Sequence, residues 1–187
     1  MVLVRMIRHG RPAGDWGGGD EDPGLDAVGA GQARAVGDAL LSLADPPRIV
    51  VSSPLRRCRE TAEALARALG APVLIDPRVG EIPTPPGLGP AERRPWLRQA
   101  MAGRWNEITG EADYAGWRAG VLQALSEHSG AAVFSHFVAL NAAVTFVRGE
   151  EQVLGFRPAH ASVTTFAIGP SGLGLVSLGA EMATEVL

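Results

Sequence analysis

Residues 2–10 read VLVRMIRHG, a largely apolar run that ends abruptly in Arg8, His9 and Gly10. A short apolar run that stops at a polar, glycine-containing turn is typical of a buried strand ending at the carboxyl edge of a sheet. Open α/β sheets bind their ligands at this edge. A neutral imidazole such as His9 can attack phosphorus, and the guanidinium of Arg8 can hold phosphate oxygens through two hydrogen bonds. Gly10 would let the backbone come close to a bound group.

A second apolar run, residues 49–51, precedes the arginine-rich segment SSPLRRCRETA at residues 52–62. Ser53 followed by Pro54 predicts the start of a helix, with Ser53 as the capping residue and Pro54 in the first turn. Arg57 would then lie one turn into this helix, near its positive end, where anions are favoured.

A third buried run, AAVFS at residues 131–135, leads directly into His136. Since the carboxyl ends of parallel strands meet at one edge of a sheet, the three strand ends are expected to present His9, Arg57 and His136 together. Each has a simpler interpretation, because His9 with Arg8 could form an ordinary polar turn and His136 could be a core histidine bonded to backbone. It is their joint occurrence that favours a site.

At this point the sequence resembles the histidine phosphatase superfamily, also called the phosphoglycerate mutase-like superfamily. Residues 8–10 are similar to its amino-terminal signature Arg-His-Gly, and residues 52–62 are similar to its element Ser-Pro-Leu-x-Arg-x-x-x-Thr-Ala. The second element places the family's second phosphate-binding arginine at Arg57. His136 matches the second histidine and Glu81 matches the position of the usual acid. The resemblance covers nearly the whole chain in the right order.

The resemblance implies a three-layer α/β sandwich with a mostly parallel central sheet and helices on both faces. It also implies a phosphomonoester hydrolase in which His9 attacks phosphorus and forms a phosphohistidine intermediate. His136 would help to stabilise the transferring group, and Glu81, kept protonated by desolvation beneath a cap, would protonate the leaving group and then assist water. The expected substrate is a small phosphorylated metabolite or a phosphoprotein. The implied phosphate-binding residues are Arg8, Gly10, Arg57 and Phe137.

Two positions depart from the family pattern: Asp15 lies near the place of a frequent asparagine, and Phe137 takes the place of a frequent glycine. Two alternatives to hydrolysis are therefore kept. A mutase would return the phosphoryl group to the substrate, but the cap shows no residues that would retain a bound intermediate against water. A non-catalytic phosphate-binding module would suit the two departures. It is disfavoured by the intact set His9, Arg57, Glu81 and His136.

Composition agrees with a single α/β domain over residues 1–187, since the chain has 46% hydrophobic residues. The net charge of −3 favours no nucleic-acid partner, and no apolar stretch is long enough for a membrane span or signal peptide. The one cysteine, Cys58, excludes an internal disulfide and suits a reducing cytosol, so a cytoplasmic location is expected. All 17 basic residues are arginine, which excludes Schiff-base chemistry and a Walker-type loop.

No metal or other cofactor is expected. A zinc site from His9, His136 and a carboxylate is disfavoured, because flanking arginines would repel the cation and the sequence has no compact pair of histidine ligands. The glycine- and carboxylate-rich loop 15–22 has no EF-hand spacing. The expected partner is a small phosphorylated substrate or inorganic phosphate, and a homodimer stays open.

Strand and helix patterns alternate along the rest of the chain, and five prolines interrupt residues 82–110. This segment is predicted to be a cap inserted over the domain, with a helix at 91–102. The arginines of the cap could form a cationic rim or a solvated helix face, and its tryptophans could line a pocket or fill the cap core. The other predicted helices are 26–43, 56–69, 114–129 and 138–147, with further strands at 72–75, 162–168 and 173–178.

Overall fold

The computed structural model describes residues 2–14 and 20–182, and in this part of the chain the strands form one six-stranded sheet. The strands are β1 (Val2–Arg8), β2 (Ile49–Ser52), β3 (Val73–Ile75), β4 (Ala131–Ser135), β5 (Val163–Gly169) and β6 (Gly172–Ser177). The helices are α1 (Ala27–Leu41), α2 (Arg56–Leu69), α3 (Pro90–Ala102), α4 (Tyr114–Glu127) and α5 (Phe137–Arg148). Two short 3-10 turns cover Pro77–Val79 and Trp105–Glu107.

The sheet has the strand order β3-β2-β4-β1-β5-β6. The first four strands in this order pair in parallel, whereas β5 and β6 are antiparallel to their neighbours. The prediction of a mostly parallel sheet is therefore confirmed. In register, Arg8 lies opposite Ser135 and Ser52 lies opposite Phe134, so β1, β4 and β2 end side by side.

Two hydrophobic cores lie on opposite faces of the sheet. In β4, Ala131 and Val133 belong to the core that includes residues of α4 and α5, and Ala132 and Phe134 belong to the core that includes residues of α1 and α2. All four residues are fully buried, which explains the continuous apolar run of this central strand. The three-layer prediction is confirmed.

A third hydrophobic cluster joins the cap to the site edge of the sheet. Ile82, Trp96 and Leu97 pack in one cluster with Phe137 and Val138 from the first turn of α5. Because α5 starts at the carboxyl end of β4, the cap lies against the edge where β1, β2 and β4 end. The interpretation of residues 82–110 as an insertion within one domain stays a prediction.

Helix α2 has the predicted bounds, residues 56–69, but the prediction that Ser53 caps it was wrong. The helix begins at Arg56, and its capping position is Leu55, which provides no side-chain hydrogen bond. The N–H of Ser53 donates to the carbonyl of Phe134, which holds Ser53 against the end of β4. Its hydroxyl lies 2.8 Å from Nε2 of His136. The hydroxyl of Ser53 therefore contacts His136 instead of capping the helix, and Pro54 precedes the helix.

The remaining predicted elements differ from the structure by one or two residues at their ends. The largest differences are in α1, which was predicted to reach residue 43 and ends at Leu41, and in α4, which ends at Glu127 instead of residue 129. Among the described residues, no helix is both long and apolar enough to cross a membrane.

Candidate active site

The three side chains expected to meet at the sheet edge lie together. The ring centres of His9 and His136 are 5.4 Å apart. Nη2 of Arg57 lies 3.2 Å from Nδ1 of His136. Backbone bonds hold the strand ends in this arrangement, since the N–H of His9 donates to the carbonyl of Ser135.

A cavity of about 700 Å³ opens above these strand ends. Its lining is partly polar and partly apolar. The polar lining includes Arg8, His9, Arg57 and Glu81, together with Arg11, Asp20, Glu21, Asp26, Thr84, Arg93, Arg94 and His160. Cavities of roughly 300–1,000 Å³ accept small ligands. The apolar lining includes Ile82, Leu97, Met101, Phe137 and Val138.

His9 is held as a neutral imidazole with one nitrogen free to act. Its Nδ1 lies 2.8 Å from the carbonyl of Gly10, so this nitrogen carries the proton and Nε2 keeps its lone pair. Burial, reinforced by the nearby ring of His136 and by the positive charges of Arg57 and Arg8, lowers the pKa of His9 well below its usual value. At neutral pH the ring is therefore uncharged, as a nucleophile requires.

Gly10 packs closely against α1, and the close approach of a ligand at this residue stays a prediction. A Cβ at this position would lie 2.7 Å from the carbonyl oxygen of Gly29. The N–H of Gly10 donates to Oγ1 of Thr61 at 3.0 Å, and that hydroxyl donates to the carbonyl of Arg57. The loop that carries His9 is therefore held by packing against α1 and by hydrogen bonds to α2.

Arg8 lines the cavity as a fixed cation, but its guanidinium is less open than the sequence suggested. Nη1 donates to the carbonyl of Pro158 at 2.9 Å and to Sδ of Met182 at 3.0 Å. The guanidinium lies over the ring of Phe137, 5.1 Å from its centre. Burial lowers the pKa of Arg8 to about 10, so it stays charged at neutral pH. Its Nε is buried without a hydrogen-bond partner among the described residues, and a phosphate oxygen would be a suitable acceptor.

The helical phase of α2 turns one arginine of its first turn into the cavity. Arg57 is buried, whereas Arg56 is exposed and pairs with Glu60 at 2.6 Å. Arg59 is exposed as well. The structure thus brings Arg57, as the family resemblance implied, next to His9.

We expect Arg57→Lys to lower kcat/KM by about tenfold or more, because lysine keeps the charge but loses the planar fork that binds two oxygens. The matched control is Arg56→Lys, one residue away in the same helix turn, which should change kcat/KM little. Steady-state kinetics with p-nitrophenyl phosphate measures both. A loss at Arg56 with none at Arg57 would contradict this assignment of the helix face.

Glu81 is ionised in the structure, so the expectation that desolvation keeps it protonated was wrong. Burial alone would raise its pKa, but His136 and the guanidinium of Arg57 outweigh burial and lower the pKa to about 2. Its Oε2 lies 3.4 Å from Nδ1 of His136 and 3.6 Å from Nη2 of Arg57. Oε1 accepts the N–H of Ile82 at 3.1 Å.

His136 is completely buried beneath the cavity floor and is not part of the cavity lining. Its Nδ1 meets Arg57 and Glu81, and its Nε2 meets the hydroxyl of Ser53. Burial also lowers its pKa. His136 thus contacts Arg57 and Glu81, and its expected role in stabilising the transferring group stays a prediction. The thiol of Cys58 lies 3.4 Å from Nε2, and burial raises its pKa so that it stays protonated.

Sequence reasoning missed His160, which lines the cavity with its ring centre 5.7 Å from that of His9. No motif or spacing marks it, because it reaches the site through a turn just before β5. The other carboxylate considered near His9, Asp15, lies outside the described residues.

Some arginine and aromatic side chains of the cap region line the cavity, as one interpretation predicted, and others lie at the surface or in the core of the cap. Arg93 and Arg94 line the cavity. Arg98 is exposed, and Arg104 forms a salt bridge with Glu151 at the protein surface. Phe137 lines the cavity, whereas Trp96, Trp105 and Trp117 pack in the third hydrophobic cluster and do not line it. Within residues 2–14 and 20–182, no group of three or more His, Cys, Asp or Glu side chains is arranged to hold a metal ion.

Comparison with known proteins gives one family. The chain matches the model of the histidine phosphatase superfamily (branch 1) over residues 4–181. It is 36% identical over 87 residues to a probable phosphoglycerate mutase of Escherichia fergusonii, covering 44% of this chain and 39% of that protein. A probable phosphoglycerate mutase of Salmonella paratyphi C is 31% identical over 118 residues, with 55% and 51% covered. The matched part spans about half or less of these relatives' length.

Solved structures share the fold over nearly their whole length. A phosphoserine phosphatase of Entamoeba histolytica, solved with 3-phosphoglyceric acid, superimposes with a TM-score of 0.75 at 21% identity, covering 96% of this chain and 98% of that one. A putative alpha-ribazole-5'-P phosphatase of Escherichia coli gives 0.73 at 21% identity, covering 98% and 99%. A mycobacterial glucosyl-3-phosphoglycerate phosphatase gives 0.72 at 21% identity, covering 97% and 100%. At these identities the likeness shows the fold.

Proposed function

Because the chain belongs to the histidine phosphatase superfamily, as its sequence motifs suggested, we propose that it hydrolyses phosphomonoesters through a phosphohistidine intermediate. One observation carries this proposal: His9 is a neutral imidazole that lines a cavity together with two cations, Arg8 and Arg57. Nε2 of His9 attacks phosphorus in line while the P–O bond to the leaving group breaks. The two guanidinium groups stabilise the charge on the equatorial oxygens. Water then attacks phosphorus, the P–N bond breaks and inorganic phosphate leaves.

The leaving oxygen needs a proton, and Glu81 is the group proposed to handle it. A phosphate bound beside Glu81 adds negative charge, which raises the pKa of the carboxyl group above its value in the structure. A substrate that binds as the monoanion brings one proton with it. Glu81 can accept that proton, pass it to the leaving oxygen and then take one from the attacking water. His136 holds Glu81 and Arg57 in place.

Hydrolysis is favoured over mutase chemistry by the size of the cavity. About 700 Å³ leaves room for water beside a small phosphorylated molecule, since one water occupies roughly 30 Å³. Mutase activity is the alternative function, because relatives of this chain are called probable phosphoglycerate mutases. A phosphate-binding module without turnover is disfavoured, because binding alone does not require a neutral, tautomer-fixed histidine beside the arginines.

The proposed substrate is a small phosphorylated metabolite that carries a second anionic group. Arg93 and Arg94 of the cap line the same cavity as the phosphate-binding arginines. Asp20, Glu21 and Asp26 line it as well, and Arg93 pairs with Glu21 at 3.7 Å, so a second anionic group would compete with these carboxylates for the cap arginine. Phosphoserine and 3-phosphoglycerate, named with the structural neighbour from Entamoeba histolytica, each contain a carboxylate. A metal-independent reaction, a cytoplasmic location and a homodimer stay predictions.

A hydrolysis screen tests the proposal. We expect release of inorganic phosphate from small phosphorylated metabolites, including 3-phosphoglycerate, in the presence of EDTA, and weak or no release from phosphopeptides. Products are analysed for free phosphate and for isomers of the substrate. Isomerisation without phosphate release would establish the mutase, binding without turnover would establish a binding module, and a need for added metal would contradict the mechanism.

A further inference from the structure

The clearest group in the cavity that the mechanism leaves without a role is His160. Two imidazole rings flank that of His9 at similar distances, His136 at 5.4 Å and His160 at 5.7 Å between ring centres. They differ in access, because His136 is fully buried whereas His160 lines the cavity. The imidazole open to a ligand beside His9 is therefore His160.

The turn that carries His160 is attached to the backbone of the nucleophile. The N–H of Ala161 donates to the carbonyls of Arg8 at 3.0 Å and His9 at 3.3 Å, and the carbonyl of Ser162 accepts the N–H of Arg8 at 3.2 Å. Ala161 has a φ of 56°, in the left-handed region that residues with a Cβ rarely adopt. A disfavoured conformation persists only where its surroundings hold it, and such positions cluster at ligand sites.

The ring nitrogens of His160 are available to a ligand. Neither forms a hydrogen bond within the described residues, and the ring borders the cavity. Burial, with the nearby charges of Arg8 and Arg11, lowers the pKa of His160 to about 4, so the ring is neutral at neutral pH. A neutral imidazole has one N–H donor, and it can bind a phosphoryl oxygen without adding a third charge beside His9.

We propose that His160 is a phosphate-contacting residue, donating a hydrogen bond to an oxygen of the phosphoryl group that His9 attacks. In-line attack places phosphorus within roughly 3–3.5 Å of Nε2 of His9, inside the cavity that both rings border. The phosphoryl oxygens then extend towards the side chains around His9. This inference rests on the proposed function for its role in turnover. The inferred contact between His160 and bound phosphate does not depend on turnover.

The test compares three variants with the wild-type protein. His160→Phe keeps an aromatic ring without a donor, His160→Gln keeps a donor, and Ala161→Gly relaxes the turn while the imidazole stays. Inorganic phosphate affinity is measured by calorimetry, and phosphorylation of His9 is followed in single turnovers with p-nitrophenyl phosphate and an alkyl phosphate. Thermal melting checks that each variant is folded.

We expect His160→Phe to weaken phosphate binding by about tenfold and to slow phosphorylation by both substrates to a similar extent, as for the loss of a hydrogen bond to a charged group. His160→Gln should recover most of both, and Ala161→Gly should resemble wild type. Unchanged phosphate affinity, or a loss that differs between the substrates, would show that His160 contacts the organic part and would overturn the proposal. Equal losses in the Phe and Gln variants, or the same loss in Ala161→Gly, would also overturn it, because the turn and not the donor would matter.

The outcomes separate this inference from the proposed function. If the wild-type protein binds phosphate but hydrolyses no ester, hydrolysis fails as the function, while the phosphate affinities of the variants still decide the role of His160. If the wild-type protein does not bind phosphate, the role of His160 is refuted.

Discussion

His9→Asn should abolish the phosphoenzyme and lower turnover on the order of a thousandfold or more, since it removes the nucleophile on which both chemical steps depend. Asparagine is the informative replacement, because its side-chain amide can still donate to the carbonyl of Gly10, as Nδ1 of His9 does at 2.8 Å. The loop should therefore keep its conformation. Loss of activity can then be attributed to chemistry, with thermal melting as the check on folding.

Rapid acid-free denaturation during turnover of a ³²P-labelled substrate measures the intermediate. The wild-type protein should carry an acid-labile, alkali-stable label on His9, and the asparagine variant should carry none. His128→Gln is the control, because His128 bonds to Asp76 and does not line the cavity, so this variant should be labelled normally. A label on a serine, or full turnover by His9→Asn, would refute the mechanism.

Glu81→Gln should have an effect that depends on the leaving group. An alkoxide leaves poorly without a proton, whereas p-nitrophenolate is a stable anion and needs little help. Glutamine keeps the size of the side chain but cannot transfer a proton, so we expect phosphorylation by an alkyl phosphate to fall by roughly a hundredfold. Phosphorylation by p-nitrophenyl phosphate should fall much less. Single-turnover measurement of phosphoenzyme formation keeps the later hydrolysis of phosphohistidine out of the comparison.

The pH dependence gives a second measure of the same role. Since the pKa of Glu81 is about 2 before substrate binds, the proton must arrive with the monoanionic ester, whose second pKa lies near 6. Wild-type kcat/KM for the alkyl phosphate should therefore fall as the pH rises above about 6. If Glu81→Gln slowed phosphorylation equally for the two leaving groups, proton transfer by Glu81 would be contradicted. The role of Glu81 would then be to hold Arg57 and His136 in place. Asp15 would then be tested as the acid.

Strand ends and motifs were enough to predict which side chains converge at one edge of the sheet. His9, Arg57 and His136 each follow a short buried run, and the parallel pairing of those runs brings them together. The protonation of Glu81 could not be predicted in the same way. Desolvation and nearby cations shift a carboxyl pKa in opposite directions, and only the distances to Arg57 and His136 decide which effect is larger.

Two further features needed the tertiary structure. His160 lies about 150 positions from His9 in the sequence, and antiparallel pairing of β5 with β1 brings its turn to the site. Ser53 has the residue type and position of a helix cap, but a buried histidine competes for the same hydroxyl. Local rules describe what a side chain can bind, and neighbours distant in sequence decide which partner it has.

The attachment of Arg8 to Pro158 and Met182 has a consequence for the order in which the site is assembled during synthesis. A nascent chain that has emerged only as far as α5 already contains His9, Arg57, Glu81 and His136, yet Arg8 still lacks both of these partners. Central strand β1 likewise lacks one of its two neighbours until β5 has been synthesised and pairs with it. Contacts between such distant segments form late and slowly. The phosphate site should therefore mature only when the last segments dock, so that a ribosome-bound or truncated chain would hold every motif residue and still bind phosphate poorly.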